Sequence, residues 1–403
     1  MSTHVTHAHR TRRKTHKSQA RPPFDCVALL LQGGGALGAY QAGVYQALSE
    51  AHLDPDWIAG ISIGAINSAL IAGNPPHSRV EKLREFWALV TSPLWAHASN
   101  GFSPWPHVPM NLASRGDLAR RFANQLNASV ALVHGAPGFF VPRALIPWLQ
   151  PTGTVEATSY YDTAPLRSTL EALVDFDRIN AGETRFSVGA VNVATGNFVY
   201  FDNSTHTIGP EHVMASAALP PALPAIEIEG ELYWDGGLVS NTPLQWVLES
   251  EPRRDTLAFQ VDLWSARGPV PRTIAEVMTR QKEIQYSSRT RANSARFKYT
   301  QRIRNTLSNL LQQLPANLKA SREYAALAPL ASPAVYSLVQ LVYRSKQYEW
   351  DSKDYEFSQA SMEEHWRAGY NDAVRTLRHP EVLERPAGAE GVFTFDLARD
   401  GRE

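Results

Sequence analysis

The sequence has few of the features on which secreted and membrane-spanning chains depend. Its 403 residues include one cysteine, Cys26, so no disulfide can form within the chain. The longest apolar run, at 27–31, is far too short to cross a bilayer. Residues 1–22 are basic and contain no acid, and no apolar segment of the signal-peptide kind follows them. These absences predict a cytoplasmic protein in which Cys26 is a small buried side chain.

An excess of charge of either sign is also absent. Lys and Arg total 39, and Asp and Glu total 39, so the chain lacks the strong positive charge that is typical of nucleic-acid-binding proteins. Hydrophobic residues make up 43% and charged residues 19%, as in ordinary globular proteins. The length accommodates one large domain with an appendage, or two domains. We expect no nucleic acid partner.

The first part of the sequence alternates strand and helix signals. A buried parallel strand is predicted at 27–31, a helix at 37–51, a second strand at 57–61, and a helix rich in small residues from Ser62 to 72. Further strands are predicted at 186–193, 198–201, 232–234 and 256–263. This alternation predicts an α/β fold, a three-layer sandwich in which helices cover both faces of a mainly parallel central sheet.

Composition divides the chain into four predicted parts. We expect a disordered basic tail at 1–22, an α/β domain at 23–268, a mostly helical accessory region at 269–385 and a tail at 386–403. Within the domain, residues 93–160 contain eight prolines and no clean periodicity, which predicts a long insertion that serves as a lid or binding loop. The aromatic residues that we expect to be exposed there are Trp95, Phe102, Trp105, Phe139, Phe140 and Trp148.

Residues 60–64, Gly-Ile-Ser-Ile-Gly, match the strand–turn–helix pattern that exposes a nucleophilic serine. Such a turn strains the backbone of its central residue, and side chains two positions away would collide, which explains Gly60 and Gly64. The turn places the Ser62 hydroxyl at a helix N-terminus, where the helix dipole favours developing negative charge. The competing interpretation is a serine that only caps the following helix.

A second glycine turn, formed by Gly33, Gly34 and Gly35, follows the first predicted strand. Consecutive glycines allow backbone N–H groups to point outward together and to bind an anion. A right-handed crossover brings this turn and Ser62 to the same edge of the sheet, where ligands bind in open α/β folds. The three glycine amides are therefore candidates for an oxyanion hole.

The same glycine turn permits one alternative. Gly33, Gly35 and Gly38 satisfy the spacing of dinucleotide-binding loops, and Asp54 and Asp56 lie about 20 residues further on, where an acid could bind a ribose. In such sites the acid ends the second strand, whereas both aspartates here precede it. A dinucleotide site would also leave the serine turn unexplained.

A serine hydroxyl needs a base before it becomes an effective nucleophile. A histidine base would follow the acid in the α/β-hydrolase order, but only His365 and His379 come after Asp235, and neither follows a predicted strand. Asp235 itself follows a short predicted strand and precedes Gly236 and Gly237, a turn in which a carboxylate can approach a partner closely. A turn that only shapes the loop accounts for the same residues, so residue types leave both interpretations open.

Four motifs in order resemble the patatin-like phospholipase family over roughly residues 25–265. The motifs are QGGGALGAY at 32–40, GISIGAIN at 60–67, ASA at 215–217 with prolines nearby, and DGG at 235–237 with Asn241 and Pro243 behind it. The resemblance implies a catalytic dyad without histidine, an oxyanion hole, no metal or cofactor, and hydrolysis of phospholipids or other acyl esters. The residues that it implies are Ser62 and Asp235 for the dyad and Gly33, Gly34 and Gly35 for the oxyanion hole.

Leu37 departs from the family pattern, because many members carry a basic residue at this position of the glycine loop. This weakens the case for a phosphate-bearing head group close to the loop. Simple esters and single-chain lipids therefore stay open as substrates.

The segment 272–304 carries nine basic and two acidic residues in a sequence that predicts helix. It fits either a solvated helix face packed on the α/β domain or peripheral contact with an anionic membrane. The alternative to an enzyme is a binding or regulatory protein with a vestigial site. Labelling of Ser62 by an active-serine probe distinguishes the two.

Overall fold

The computed structural model describes residues 13–17, 20–92, 116–287, 290–346, 348–349, 352–386 and 391–396. Within these ranges, nine strands form one mixed sheet and two short strands form a separate antiparallel pair. The strands are β1 (Cys26–Leu31), β2 (Trp57–Gly60), β3 (Val141–Pro142), β4 (Tyr161–Asp162), β5 (Arg185–Asn192), β6 (Phe198–Asp202), β7 (Ile226–Ile228), β8 (Glu231–Asp235), β9 (Thr256–Asp262), β10 (Tyr336–Val342) and β11 (Val392–Phe395). The helices are α1 (Ala39–Glu50), α2 (Ile63–Ala72), α3 (Arg79–Val90), α4 (Asp117–His134), α5 (Ala164–Leu173), α6 (Phe176–Asn180), α7 (Pro210–Ser216), α8 (Leu244–Glu249), α9 (Ile274–Tyr286), α10 (Thr290–Gln313), α11 (Ala316–Lys319), α12 (Arg322–Leu327) and α13 (Gln359–Leu377).

The central sheet is mainly parallel. Six of its strands run parallel in the order β11, β10, β9, β1, β2 and β5. β6 and β8 pair antiparallel with β5, and β7 pairs antiparallel with β8. The predicted α/β sandwich with a mainly parallel sheet is confirmed.

Alternate residues of β1 enter two different cores. Val27, Leu29 and Leu31 pack in the larger core, which also contains buried residues of α1 and α2. Ala28 and Leu30 pack in the smaller core on the other face, with residues of α8 and β10. Because side chains alternate across a strand, this apolar strand is buried on both faces and forms the middle layer of the sandwich.

Two strand ends meet on one edge of β5. β2 pairs with the first half of β5, where Gly60 lies opposite Val188, and β8 pairs with the second half, where Asp235 lies opposite Ala190. β6 pairs with some of the β5 residues that pair with β2 and with some of those that pair with β8. Because a residue of a strand has one neighbour on each edge, β6 lies on the edge of β5 opposite to both β2 and β8. β2 runs parallel to β5 and β8 runs antiparallel, so their C-terminal ends point towards each other across Gly189. Two residues of a strand span about 7 Å, which sets a short gap between the two ends.

The accessory region predicted at 269–385 is mostly helical, and it also adds β10 to the central sheet, where β11 pairs beside it. Its last helix, α13, packs closely on α1. A Cβ atom on Gly43 of α1 would collide with the Trp366 carbonyl, and one on Gly369 of α13 would collide with the Tyr40 carbonyl. The two helices therefore approach through reciprocal glycines. The boundary near 268 stays a prediction.

Part of the predicted disordered tail packs on the protein. His16 is buried and its Nε2 atom lies 3.0 Å from the Glu50 carboxylate, while the Arg13 amide donates to the Arg378 carbonyl at 2.8 Å. The prediction of disorder is therefore wrong for 13–17, because polar contacts with α1 and α13 order this stretch. Residues 1–12 and 18–19 of the predicted tail lie outside the described residues.

The insertion predicted at 93–160 contains a regular helix, contrary to expectation. α4 spans 18 residues, and its apolar residues Leu118, Phe122, Leu126 and Val130 recur every four residues, so the expected lack of clean periodicity is wrong for this stretch. Some of these side chains are exposed, with Phe122 at 66%. The predicted exposure of Phe139 and Phe140 is wrong: Phe139 is buried, Phe140 is half-buried, and both contact Phe357 edge-on. Trp148 is 81% exposed, as predicted. Trp95, Phe102 and Trp105 lie outside the described residues.

We expect Gly369→Ala to lower the free energy of unfolding by about 3 kcal/mol, because the added methyl group forces α13 away from α1. Thermal melting followed by circular dichroism measures the change. Asn371→Ala, at an exposed position of the same helix, is the control and should melt within about 2 °C of the native protein. Equal melting of Gly369→Ala and the native protein would contradict the close helix contact.

Candidate active site

Ser62 occupies a strained turn between β2 and α2. Its φ of 57° lies in the left-handed region, which costs a residue other than glycine about 1–3 kcal/mol. A Cβ atom on Gly60 would collide with the Gly64 carbonyl, and one on Gly64 would collide with the Leu31 carbonyl. Only glycine fits at these two positions, as the elbow pattern predicts. The turn leaves Ser62 half-buried at the N-terminus of α2.

Ser216, the last residue of α7, braces this turn. Its buried hydroxyl accepts a hydrogen bond from the Ser62 amide at 3.1 Å and donates one to the Gly189 carbonyl at 2.7 Å. The backbone of Ser62 is thereby joined to β5 at the point between the two strand ends. The motif at 215–217 is visible in the sequence, where nothing indicates this role. The sequence feature that could have pointed to this contact is a small polar residue flanked by two alanines.

Asp235 ends β8 and its side chain turns towards Ser62. The carboxylate accepts a hydrogen bond from the Gly237 amide at 2.7 Å and interacts with the Ser62 hydroxyl as a hydrogen-bond acceptor. A Cβ atom on Gly236 would lie 2.6 Å from the Gly189 carbonyl oxygen, so glycine allows the close approach of the two strands. Burial raises the pKa of the Asp235 carboxyl to about 7, and the two hydrogen bonds only partly oppose this effect.

The glycine loop lies directly against the serine. A Cβ atom on Gly33 would lie 2.9 Å from Cβ of Ser62, so a side chain there would block the site. The Gly33 amide donates to the Asn241 carbonyl at 3.3 Å. Within the described ranges, no protein atom accepts a hydrogen bond from the amides of Gly34 and Gly35. These two N–H groups are left available to a substrate oxygen.

Two buried side-chain amides fix the loop from behind. Asn241 donates through Nδ2 to the Gly33 carbonyl at 3.1 Å and to the Tyr286 carbonyl at 2.9 Å. Gln32 accepts through Oε1 from the amides that follow β9, including that of Trp264 at 2.9 Å. The Trp264 indole N–H also donates to the Gly33 carbonyl at 3.0 Å. Both polar residues stood in motifs noted in the sequence, yet only the fold shows what they contact.

The residues of the alternative interpretations lie elsewhere. His365 interacts with Glu349 at 3.5 Å, and His379 lies 3.2 Å from a carboxylate oxygen in the turn after α13. Asp54 and Asp56 precede β2, at the end of the sheet opposite to the glycine loop, and Asp56 accepts from the β1 amide of Val27. The structure thus does not bring these groups to Ser62.

The described part of the chain has the features of neither a metal site nor a membrane-spanning helix. No group of three or more His, Cys, Asp and Glu side chains in that part is arranged to hold a metal ion. None of the helices in that part has both the length and the apolar character that a bilayer crossing requires.

We expect Asp235→Asn to raise the melting temperature more at about pH 8 than at about pH 5. The raised pKa means that the native carboxyl contributes stability in its protonated form, and this contribution is lost as the pH rises towards about 7. Asparagine carries no charge at either pH and can still accept from the Gly237 amide. Scanning calorimetry at both pH values measures the difference. A shift that is the same at both would contradict the raised pKa.

Parts of the chain are similar to known proteins. The family described as patatin-like phospholipase matches residues 29–247, more than half of the chain, and a second family described as patatin phospholipase matches residues 284–389. Patatin-like phospholipase domain-containing protein 7 of Rattus norvegicus is 41% identical over 64 residues, which are 16% of this chain and 5% of that protein. Lysophospholipase nte1 of Aspergillus terreus is 48% identical over 71 residues, 17% of this chain and 5% of that protein. The crystal structure of VipD from Legionella pneumophila aligns with 94% of this chain and 71% of its own, at 16% identity and a TM-score of 0.36. The chain spans about a twentieth of the length of the two curated relatives, protein 7 and lysophospholipase nte1. Because the family model matches more than half of the chain's own length, the chain belongs to the patatin-like phospholipase family.

Proposed function

We propose that this protein is a serine hydrolase that cleaves acyl esters of lipids, in the manner of a phospholipase A. One observation carries the proposal: a buried carboxylate, Asp235, interacts with the hydroxyl of Ser62 beside backbone amides that lack a protein acceptor in the described ranges. A base, a nucleophile and an electrostatic stabiliser are the three groups that acyl transfer requires. The family to which the chain belongs supports a lipid substrate.

The reaction divides into two acyl transfers. In the first, Asp235 takes the proton of the Ser62 hydroxyl while Oγ attacks the ester carbonyl carbon, and a tetrahedral oxyanion forms. The C–O bond to the leaving alcohol breaks, and Asp235 returns the proton to that oxygen. In the second, Asp235 takes a proton from water, the hydroxide attacks the acyl-enzyme, and the free acid leaves as Ser62 regains its proton. The base ends each cycle unprotonated, so the dyad needs no other group.

The environment of Asp235 fits this role. An ordinary aspartate is too weak a base to accept a proton from a serine, whereas burial raises the pKa of Asp235 to about 7 and so strengthens the base. The Gly237 amide orients the carboxylate and leaves it able to interact with Ser62.

The oxyanion hole is assigned to the glycine loop, with different parts for its three residues. Gly34 and Gly35 supply the amides that have no protein acceptor in the described ranges, while the Gly33 amide already donates to the Asn241 carbonyl. Gly33 instead allows the loop to lie against the serine. Loss of one oxyanion donor typically costs about 10²–10³ in rate.

The surroundings of the site bear on the choice of substrate. Leu37 is fully buried, so it offers neither charge nor surface to a head group. Leu238 and Val239 directly follow the turn at Asp235 and are 41% and 59% exposed, which gives an acyl chain apolar surface near the base. These features favour recognition of the acyl part of a lipid over its head group.

Peripheral contact with an anionic membrane is a further part of the proposal. α10 exposes Tyr299 and Ile303 at 64% and 49%, beside exposed Arg296 and Arg302. A helix face that combines apolar and basic side chains is typical of segments that lie on anionic lipid surfaces. A cytoplasmic location stays a prediction.

We expect Ser62→Ala to reduce turnover of a p-nitrophenyl ester to background and Asp235→Asn to reduce it by about 10³. A fluorophosphonate probe should label the native protein at Ser62 and should not label Ser62→Ala. Ser168→Ala, at an exposed serine of α5, is the control and should match the native protein. Native protein that neither turns over the ester nor takes up the probe would favour the binding protein with a vestigial site.

The activity should follow the ionisation of Asp235. We expect kcat/KM to fall tenfold per pH unit below about pH 7, since only the ionised carboxylate accepts the Ser62 proton. The apparent pKa should change little with temperature, as for a carboxylic acid, whereas that of an imidazole falls on warming. His365→Gln should leave this acid limb, the fall of kcat/KM below about pH 7, unchanged. An acid limb whose midpoint shifts strongly with temperature, or one that is absent from His365→Gln, would point to a histidine base.

A further inference from the structure

A segment of the accessory region, residues 352–356, lies against the glycine loop. The Asp354 carbonyl accepts a hydrogen bond from the Ala36 amide at 2.8 Å. The same carbonyl oxygen would collide with a Cβ atom on Gly35, whose φ of 56° also favours glycine. The loop is thus in direct contact with Asp354 at Gly35 and Ala36, next to the two amides that lack a protein acceptor in the described ranges.

Two ion pairs attach this segment to α9. Lys282 places its ammonium 3.0 and 3.1 Å from the two carboxylate oxygens of Asp354. Its neighbour Glu283 accepts from the ammonium of Lys353 at 2.8 Å, and that lysine is almost completely buried. Two consecutive residues of α9 therefore pair with two consecutive residues of the segment. In each pair the two side chains carry opposite charges. Such a double pairing fixes the register of the segment, since a shift by one residue would oppose like charges.

The same two elements also contact groups at the other end of the loop, near Gly33. The Lys353 ammonium lies 5.1 Å from the ring centre of Trp264, whose indole donates to the Gly33 carbonyl. The last residue of α9, Tyr286, accepts through its carbonyl from Gln32 at 3.2 Å and from Asn241 at 2.9 Å. Contacts from α9 and residues 352–356 therefore lie near both ends of the glycine loop.

We propose that Lys282 is a positioning residue for the oxyanion hole: its ion pair with Asp354 holds the carbonyl that orients the Gly34 and Gly35 amides. This inference rests on the proposed function. Lys282 would touch no reacting atom. It would act by holding the backbone on which the donors lie, where a displacement of about 1 Å can cost up to 10²-fold in rate.

The test compares Lys282→Met, Lys282→Arg and Lys82→Met. Lys82 pairs with Glu85 at 2.8 Å on the exposed face of α3, so its removal is the control for loss of a lysine ion pair. A fluorophosphonate titration gives the concentration of active sites in each preparation. Turnover of a p-nitrophenyl ester is then expressed per labelled Ser62. This ratio separates a loss of folded protein from a defect in catalysis.

We expect Lys282→Met to lower kcat per active site by about 10- to 100-fold with KM changed less than about twofold, because oxyanion contacts form mainly in the transition state. The acid limb of kcat/KM should keep its midpoint, since Asp235 is not moved. Lys282→Arg should recover kcat to within about threefold of native, because it keeps a charged donor. Lys82→Met should match the native protein.

A Lys282→Met protein whose kcat per active site lies within twofold of native would overturn the proposal, and so would a Lys282→Arg protein as slow as Lys282→Met. If Lys282→Met does not fold, Asp354→Asn replaces it. That variant keeps the side-chain size and the backbone carbonyl but loses the charge that holds Lys282, and native kcat per site there would also refute the inference. Failure of the proposed function is distinguishable, because the native protein itself would then lack turnover.

Discussion

The site depends on the way in which β2 and β8 share one edge of β5. The two strands approach from opposite directions and stop on either side of Gly189, so their ends face each other across a gap that backbone pairing sets. Ser216 donates to the Gly189 carbonyl, and Gly236 packs closely against it. Ser62 follows one end and Asp235 forms the other. A proton can pass between two side chains only if both are held at short range, and the proposed transfer from Ser62 to Asp235 would depend on this strand pairing for that restraint.

This geometry has an energetic cost that the surrounding structure offsets. The left-handed backbone of Ser62 and the buried carboxylate of Asp235 both destabilise the folded chain relative to relaxed, solvated alternatives. Both are held by groups of the fully packed α/β core, among them the buried Ser216 hydroxyl and the Gly237 amide. The burial that lowers the stability of the protein at high pH is the same burial that would strengthen Asp235 as a base in the proposed reaction. Stability and chemistry are therefore opposed at this one side chain.

The parts of the fold that the sequence predicted are those set by local physics. The apolar strand β1, the strand β2 and the two glycine turns are decided by a few consecutive residues, and the structure has them within two residues of the predicted positions. The contact between Ser62 and Ser216 joins residues 154 positions apart, and no periodicity carries such information. α4 was missed although its apolar residues recur at helical spacing, because the many prolines at 93–160 led to the prediction of an irregular insertion. Phe139 was misjudged because its partner, Phe357, lies in the accessory region.

The contacts of the glycine loop come from both sides of the predicted boundary near residue 268. Gly33 is held by Asn241 and Trp264 from the α/β region, while the Ala36 amide finds its acceptor in Asp354, far along the accessory region. A chain that stopped at 268 would lack that acceptor. It would also lose β10, one of the two partner strands of β9, and the helix that packs on α1. An oxyanion hole works only when its amides are fixed before the charge develops, so under the proposed function the residues that fix the loop would belong to the catalytic unit wherever they lie in the sequence.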